Sequence, residues 1–352
     1  MRPRVTFLVT YPRDVDPARE AVAQDVAALR SRVDGRTAHI SPPEGLRRFF
    51  PERLFGLWLL PSLKRIEART DVFHVLHGGL HYFPLLRFLR RPVVYSVLAG
   101  LRAGQPIDAR PFDALAGLTV TGPRDAAVAR TWGASRLTTL TPGVDLSRYP
   151  RSAPRPYASG DPFQVLVGSA PWSEADFVRK GVDALLDAAV ADERLHLTFL
   201  WRGAMREAMR ARAAARGLAE RVDVTDTQVD VSATLAGAHA AALLASDSSI
   251  VKAYPNSLME ALVCGRPVLL STQIPMSDDV AADGVGVVTP GAAAADARAG
   301  LDRLMANYEA YAARAQALPR ERYSRERWLT GIVGLYDGAL RARSAGSRSV
   351  AA

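Results

Sequence analysis

The stretch Lys252-Ala-Tyr-Pro-Asn-Ser-Leu-Met-Glu260-Ala-Leu-Val-Cys-Gly265-Arg-Pro-Val268 runs through a loop, a helix start and the next strand. Glu260 falls about one turn into that helix, where a carboxylate can accept hydrogen bonds from a vicinal diol such as ribose. The plain alternative is a solvated helix carboxylate. Asn256 or Ser257 is the candidate N-cap, and the N–H groups of that helix end would face an anion such as a diphosphate. Gly265 and Pro267 stop the helix and turn the chain into the strand. Upstream, Arg179-Lys180-Gly181-Val182-Asp183 sets two cations beside a glycine ahead of another helix start, which suits a phosphate. Asp183 complements that helix start. Only three of the 45 basic residues are lysine, namely Lys64, Lys180 and Lys252, and two of them fall in these candidate sites.

Other signals are weaker. Ser169-Ala-Pro-Trp172 follows a strand and is placed to line a ligand cleft. Trp201-Arg202-Gly203 follows the next strand, with Arg202 a candidate ligand contact and Trp201 equally a core residue. Asp14-x-Asp16 and Asp278-Asp279 lack a neighbouring histidine or further carboxylates, so surface acids or helix caps are preferred to a metal site. The single cysteine, Cys264, excludes an internal disulfide and a multi-cysteine zinc site, and a reducing compartment suits it. There is no nucleophile elbow, Walker loop or Gly-x-Gly-x-x-Gly after the first strand.

Short apolar runs alternate with amphipathic stretches, the pattern of parallel sheets wrapped by helices. Strands are predicted at 5–10, 72–76, 93–97, 118–121 and 137–140, with helices over 17–32 and 125–132. A second set follows, with strands at 163–167, 195–200, 222–224, 240–244, 268–271 and 285–288. Its helices are predicted over 182–191, 204–216, 257–263 and 294–317. Between the sets, prolines at 150, 154, 156 and 162 read as an interdomain linker. In such doubly wound halves ligands bind outside the carboxyl ends of strands, so the cleft between the halves is the natural site. At 352 residues and 48% hydrophobic, each half can bury its own core, and disorder is excluded. The net charge is +9, and it sits in residues 1–150, with 22 basic against 13 acidic residues, while the remainder balances. Residues 45–70 mix arginines with Phe49, Phe50, Phe55 and Trp58, which would suit an anionic membrane surface or simply a helix packed on its sheet, broken at Pro51 and Pro61. No run spans a bilayer and Val5–Val9 is too short for a signal sequence, so a cytoplasmic protein is expected.

The second half resembles the nucleotide-binding domain of the GT-B glycosyltransferases, specifically family 4 (glycosyl transferases group 1). The matching stretches are Phe163–Gly168 with Lys180-Gly181, Pro255–Val268 with Glu260, and Gly284-Val-Gly286-Val-Val288. The first half is similar more loosely, through Asp71-Val-Phe-His74, Pro92-Val-Val-Tyr95 and Gly143-Val144-Asp145. Tyr323–Tyr336, with Trp328, looks like the family's closing helix. The resemblance implies an α/β fold of two Rossmann-like domains facing across a cleft. They would comprise an acceptor-binding domain over 1–149, a nucleotide-sugar domain over 150–318, a helix over 319–343 returning to the first domain and a flexible tail over 344–352.

It further implies a nucleoside diphosphate sugar as co-substrate, retention at the anomeric carbon, no cofactor and no bound metal. Glu260 would hold the ribose. Lys180, helped by Arg179, would neutralise the diphosphate, together with backbone N–H groups around Asn256, Ser257 and Leu258. Ser169 and Arg202 would be further donor contacts. Three departures stand out. Lys252 replaces the first of two glutamates that the family separates by seven residues, which would shift donor choice toward an anionic sugar or pair with Glu260. Tyr11-Pro-Arg13-Asp replaces a Gly-Gly loop, leaving Arg13 to approach a phosphate. Leu98-Ala99-Gly100 stands where the family often has a histidine, so His77-Gly78-Gly79-Leu80-His81 would supply an imidazole, unless both histidines are structural.

The reading is thus a hexosyltransferase-type enzyme acting on a hydroxyl acceptor in a glycolipid, polysaccharide or glycosylated metabolite. A lipid-linked acceptor fits the surplus charge, with peripheral contact to an anionic membrane through 45–70. The alternatives are a catalytically impaired member that binds a nucleotide sugar or partner and, ranked lower, a nucleic-acid binder suggested by the high isoelectric point.

Overall fold

The structure is a computed structural model that describes residues 2–11, 13, 20–43, 50–104, 107–200, 205–225 and 229–349. Arg202, Trp201, Asp14, Asp16 and residues 44–49 of the arginine-aromatic segment lie outside them. The chain divides into two compact units, Met1–Thr141 with Glu326–Ala352, and Pro142–Arg325.

Unit 1 is built on a six-stranded sheet in the order β2-β1-β3-β4-β5-β6. Its strands are β1 (Arg4–Val9), β2 (Asp34–His39), β3 (Val72–His77), β4 (Val93–Val97), β5 (Gly117–Val120) and β6 (Thr138–Thr139). Every pairing is parallel, with Val9 opposite Leu76 and His77 opposite Val97. The central strands are apolar on both faces because helices cover both faces. Its helices include α1 (Ala21–Arg30), α2 (Leu60–Glu67) and α3 (Pro123–Thr131). The sequence pattern misses β2, whose Asp-Gly-Arg-Thr-Ala-His has no apolar run. It is an edge strand, held by its ladder with β1 rather than by burial on both faces.

Unit 2 repeats the architecture in the order β12-β11-β10-β7-β8-β9. These are β7 (Phe163–Val167), β8 (Leu195–Leu200), β9 (Val222–Thr225), β10 (Ala240–Leu243), β11 (Val268–Ser271) and β12 (Gly286–Thr289). The helices are α4 (Glu174–Arg179), α5 (Val182–Ala191), α6 (Arg206–Ala215), α7 (Val231–Gly237), α8 (Asn256–Val263), α9 (Ser277–Asp283), α10 (Ala294–Ala306) and α11 (Tyr308–Ala317). The single helix predicted over 294–317 is therefore two. Asn307 leaves helical geometry at φ −123°, and its Nδ2 donates to the Arg303 carbonyl at 3.0 Å, closing the end of α10. Tyr308 then turns into an aromatic cluster with Tyr157, Phe163 and His239.

The final helix, α12 (Arg325–Ser349), carries the chain back into unit 1. Trp328, Leu329, Ile332 and Tyr336 recur on one face and join Val5, Phe7, Val72 and Val94 in that unit's core. It continues through Ser349, so 344–349 are helical rather than a flexible tail. The proline-rich stretch read as a linker is strapped to unit 2 instead. Arg266, wholly buried, donates to Ser152 O, Ser152 Oγ and Ala153 O at 3.1, 2.8 and 2.8 Å, and to Leu235 O at the end of α7 at 2.9 Å. Gln316 Nε2 adds a bond to Ser152 O, and Tyr308 Oη one to Arg155 O. The crossings between units fall at Thr141/Pro142 and Arg325/Glu326. Among the described residues no helix is long and apolar enough to cross a membrane.

Candidate functional site

In unit 2 the chain steps outward from β7 through β8 and β9, then returns on the other side of β7 as β10. The crevice at the carboxyl ends of β7 and β10 is therefore a topological switch point, where open α/β sheets take ligands. Gly168 follows β7, and Ser257 Oγ of α8 lies so close that a β-carbon at Gly168 would collide with it. Ser169 then takes a left-handed conformation at φ 65°, a strained choice for a non-glycine residue. The next carbonyl, of Ala170, accepts a hydrogen bond from Lys180 Nζ at 2.9 Å.

Lys180 sits at the end of α4 with 7% of its surface exposed. Burial pulls its pKa below the ordinary lysine value, while the Asp176 carboxylate pulls it back up. Gly181 follows in the left-handed region at φ 63°, its Cα against Leu244 just beyond β10. The Ser246 N–H donates to the Arg179 carbonyl at 2.8 Å, fastening the loop after β10 to the same junction. The Arg179 side chain is half exposed, 3.7 Å from Asp176.

Helix α8 closes the site, with one correction to the sequence reading. Its N-cap is Pro255, not Asn256 or Ser257, and no side chain caps it. Asn256 is the first helical residue. The Leu258 N–H closes a turn onto Pro255 O at 3.2 Å, so it is not a group that faces an anion. Lys252 Nζ lies 3.4 Å from Asn256 Oδ1. Glu260 Oε1 accepts a hydrogen bond of 2.7 Å from Tyr149 Oη, a partner 111 residues upstream that no local pattern reveals. Lys180, Arg179 and Ser169 thus follow the carboxyl end of β7, while Lys252, Asn256, Ser257 and Glu260 lie on the approach to α8 and along it, with Ser257 against Gly168. Trp172, in the same loop as Ser169, is exposed. Asp279 accepts a hydrogen bond from Tyr254 Oη at 2.9 Å, and the described residues contain no group of three or more His, Cys, Asp or Glu that could hold a metal.

The remaining candidates lie in unit 1, whose own switch point falls between β1 and β3. Both ring nitrogens of His77 are engaged, Nδ1 with the Gly79 backbone and Nε2 with Glu52 Oε1 at 3.1 Å. Tyr95 Oη holds the following turn, 3.0 Å from the carbonyls of Gly79 and His81. His81 packs against Phe83, and its buried Nε2 has no hydrogen-bond partner among the described residues. Burial lowers its pKa, opposed by Glu52. Gly79 leaves open space where a side chain would stand, and a β-carbon at Gly78 would meet only Ala99, at 3.9 Å. Arg13 stands 5.9 Å over the Trp58 ring. Glu52 and Tyr95 are the residues here that sequence reasoning misses, because both act across the fold.

Residues 174–320 match the family model described as Glycosyl transferases group 1. No curated protein matches the sequence significantly. Among solved structures, HepE of Anabaena in complex with UDP aligns at 15% identity and TM-score 0.68, over 94% of this chain and 98% of that one. A sucrose-phosphate synthase from Thermosynechococcus elongatus aligns at 16% identity and TM-score 0.67, over 97% and 100%. WaaG, a glycosyltransferase involved in lipopolysaccharide biosynthesis, aligns at 16% identity and TM-score 0.60, over 89% and 94%. At these identities the likeness is one of fold. The two parallel six-stranded sheets with interspersed helices are the GT-B architecture.

Proposed function

We propose, from the premise that this chain is in fold a GT-B glycosyltransferase with a group 1 match over its second unit, that it moves a hexose-type residue from a nucleoside diphosphate sugar to a hydroxyl acceptor with retention at the anomeric carbon. The observation that carries this is the buried ammonium of Lys180, held on Ala170 O in the loop after β7, where Gly168 meets Ser257 at the start of α8. A diphosphate leaving group develops negative charge as the glycosidic bond breaks, and fixed positive charge in a dry site stabilises it. Lys180 and the first N–H groups of α8 supply that charge, with Arg179 at the edge. Glu260 accepts from the ribose diol. Lys252 brings a second cation to the approach of α8 and favours a donor sugar that itself carries a carboxylate or phosphate. UDP and UDP-glucose occupy HepE, which makes uridine nucleotides the first to try here.

Unit 1 takes the acceptor, at the turn formed by Gly78 and Gly79 between His77 and His81. A lipid-linked acceptor is favoured by one surface. Phe88, 52% exposed, accepts a hydrogen bond on its carbonyl from Lys64 Nζ; the exposed Arg87 and Arg90 flank it in the chain, and Arg65 on the helix of Lys64, with Arg69 just beyond it, is exposed as well. Exposed aromatics ringed by cations suit an anionic bilayer.

The test is a thermal-shift and transfer panel of nucleoside diphosphate sugars on the wild type, Lys180→Ala and Glu260→Ala, each with and without anionic vesicles. One donor should stabilise the wild type and fail on both variants, and vesicles should bind in low salt and release in high salt. A donor that stabilises all three proteins equally sinks the site. Vesicle binding indifferent to salt sinks the lipid reading alone.

A further inference from the structure

The Glu260 carboxylate is held from outside its own helix, and we propose that Tyr149 is the positioning residue that aims it at the ribose diol. This rests on the reading of Glu260 given above. A glutamate has three rotatable side-chain bonds, and on a half-buried helix position it samples several rotamers unless something fixes it. Tyr149 fixes it. The phenol donates to Oε1 at 2.7 Å, in the short range of a charge-assisted hydrogen bond.

Tyr149 is itself immobilised. Only 7% of it is exposed, and its ring lies in the core cluster that contains Leu258 and Leu262 of α8 and Val144. Its main-chain carbonyl is bonded by Arg320, which also reaches Leu146 O at 2.9 Å. The segment by which the chain enters unit 2 is thus pinned at both its backbone and its ring, and the phenol hydroxyl transmits that rigidity to the carboxylate. A phenol is protonated at neutral pH, so it donates to the carboxylate and leaves its charge in place. Ordering Glu260 within the fold removes a freedom that ribose would otherwise have to quench on arrival.

The test is calorimetric titration of UDP and 2′-deoxy-UDP, and in parallel GDP and 2′-deoxy-GDP, into the wild type, Tyr149→Phe, Glu260→Ala and the double variant. Tyr149→Phe keeps the buried ring, and the ratio of ribo to deoxy affinity is read within each folded protein. A loss of packing alone would weaken both sugars equally. The expected result is a 5- to 20-fold weaker affinity of Tyr149→Phe for the ribonucleotide, less than twofold for the deoxynucleotide, and no further loss when Glu260→Ala is already present. Equal losses for both sugars, a wild-type affinity in Tyr149→Phe, or a loss that persists without Glu260 overturns the proposal. Glu260→Ala binding the ribonucleotide as tightly as the wild type overturns the reading of Glu260 itself. Failure of every nucleotide to bind the wild type overturns both.

Discussion

Gly168 follows β7 directly, and Ser257 stands where its β-carbon would be. Alanine there must push the start of α8 away from the strand end, an overpacking cost of about 1–3 kcal/mol. The same displacement disturbs the proposed anion site, so Gly168→Ala should bind a nucleoside diphosphate about tenfold more weakly, equivalent to about 1.4 kcal/mol. Calorimetry checks this, and wild-type affinity in the folded variant would show that the close approach does not set the site. At this scale the sequence was legible where chemistry is local. The pattern places Lys180 just ahead of one helix and Glu260 one turn into another, and the structure has them there, because helix boundaries have a sequence signature. Pro255 has no cap signature because it offers no side-chain acceptor, so the cap falls one residue before the polar residues that look like caps, and the helix begins at Asn256. Tyr149, Glu52 and Tyr95 were illegible because their partners are brought to them by the fold.

Helix α12 shows what an element can demand of one buried polar group. Its Tyr336 Oη lies 2.5 Å from Nδ1 of His74 on β3, and the other ring nitrogen lies 2.8 Å from Ser96 Oγ on β4. Complete burial drives the His74 pKa down to about 3 from its ordinary 6.5. Between about pH 3 and 6.5 the ring is therefore neutral in the fold while an unfolded histidine takes a proton. The unfolded state then binds more protons as pH falls below about 6.5, and the contribution of His74 falls by about 1.4 kcal/mol per pH unit until about pH 3. Above about 6.5 it is constant. Urea melts of the wild type and His74→Asn from pH 7.5 to 4.5 should converge toward acid, and a difference independent of pH would contradict the buried neutral ring. Elements themselves were legible in proportion to their apolar content. Strands Phe163–Val167 and Val93–Val97 fall where the pattern places them, because burial between neighbouring layers writes an apolar run, and helix Val182–Ala191 does so through its amphipathic spacing. Edge strand β2 has no such requirement, and the break at Asn307 depends on one side-chain amide reaching a carbonyl within the turn.

On the scale of the whole molecule, the charge asymmetry sharpens once the units are counted by contact rather than by halves. Unit 1, with α12 included, holds 25 basic against 14 acidic residues, and unit 2 holds 20 against 22. The surplus of positive charge belongs wholly to the unit that does not carry the proposed nucleotide site. The proline-rich stretch misled because composition reports stiffness, not attachment, and the guanidinium that attaches it lies far along the chain. Arg266→Lys should lose about 2–4 kcal/mol, because one ammonium cannot reach carbonyls on both the strap and the end of α7. A urea midpoint within error of the wild type would refute that role. One consequence concerns synthesis. Trp328, Leu329, Ile332 and Tyr336 complete the core of unit 1, yet they follow the whole of Pro142–Arg325 in the chain. At translation rates of about 5–20 residues per second, the ribosome takes on the order of 10 to 40 s to deliver them. The unit that begins first is therefore the one whose core is finished last, with an uncovered apolar sheet face in the interval that a nascent-chain chaperone would meet.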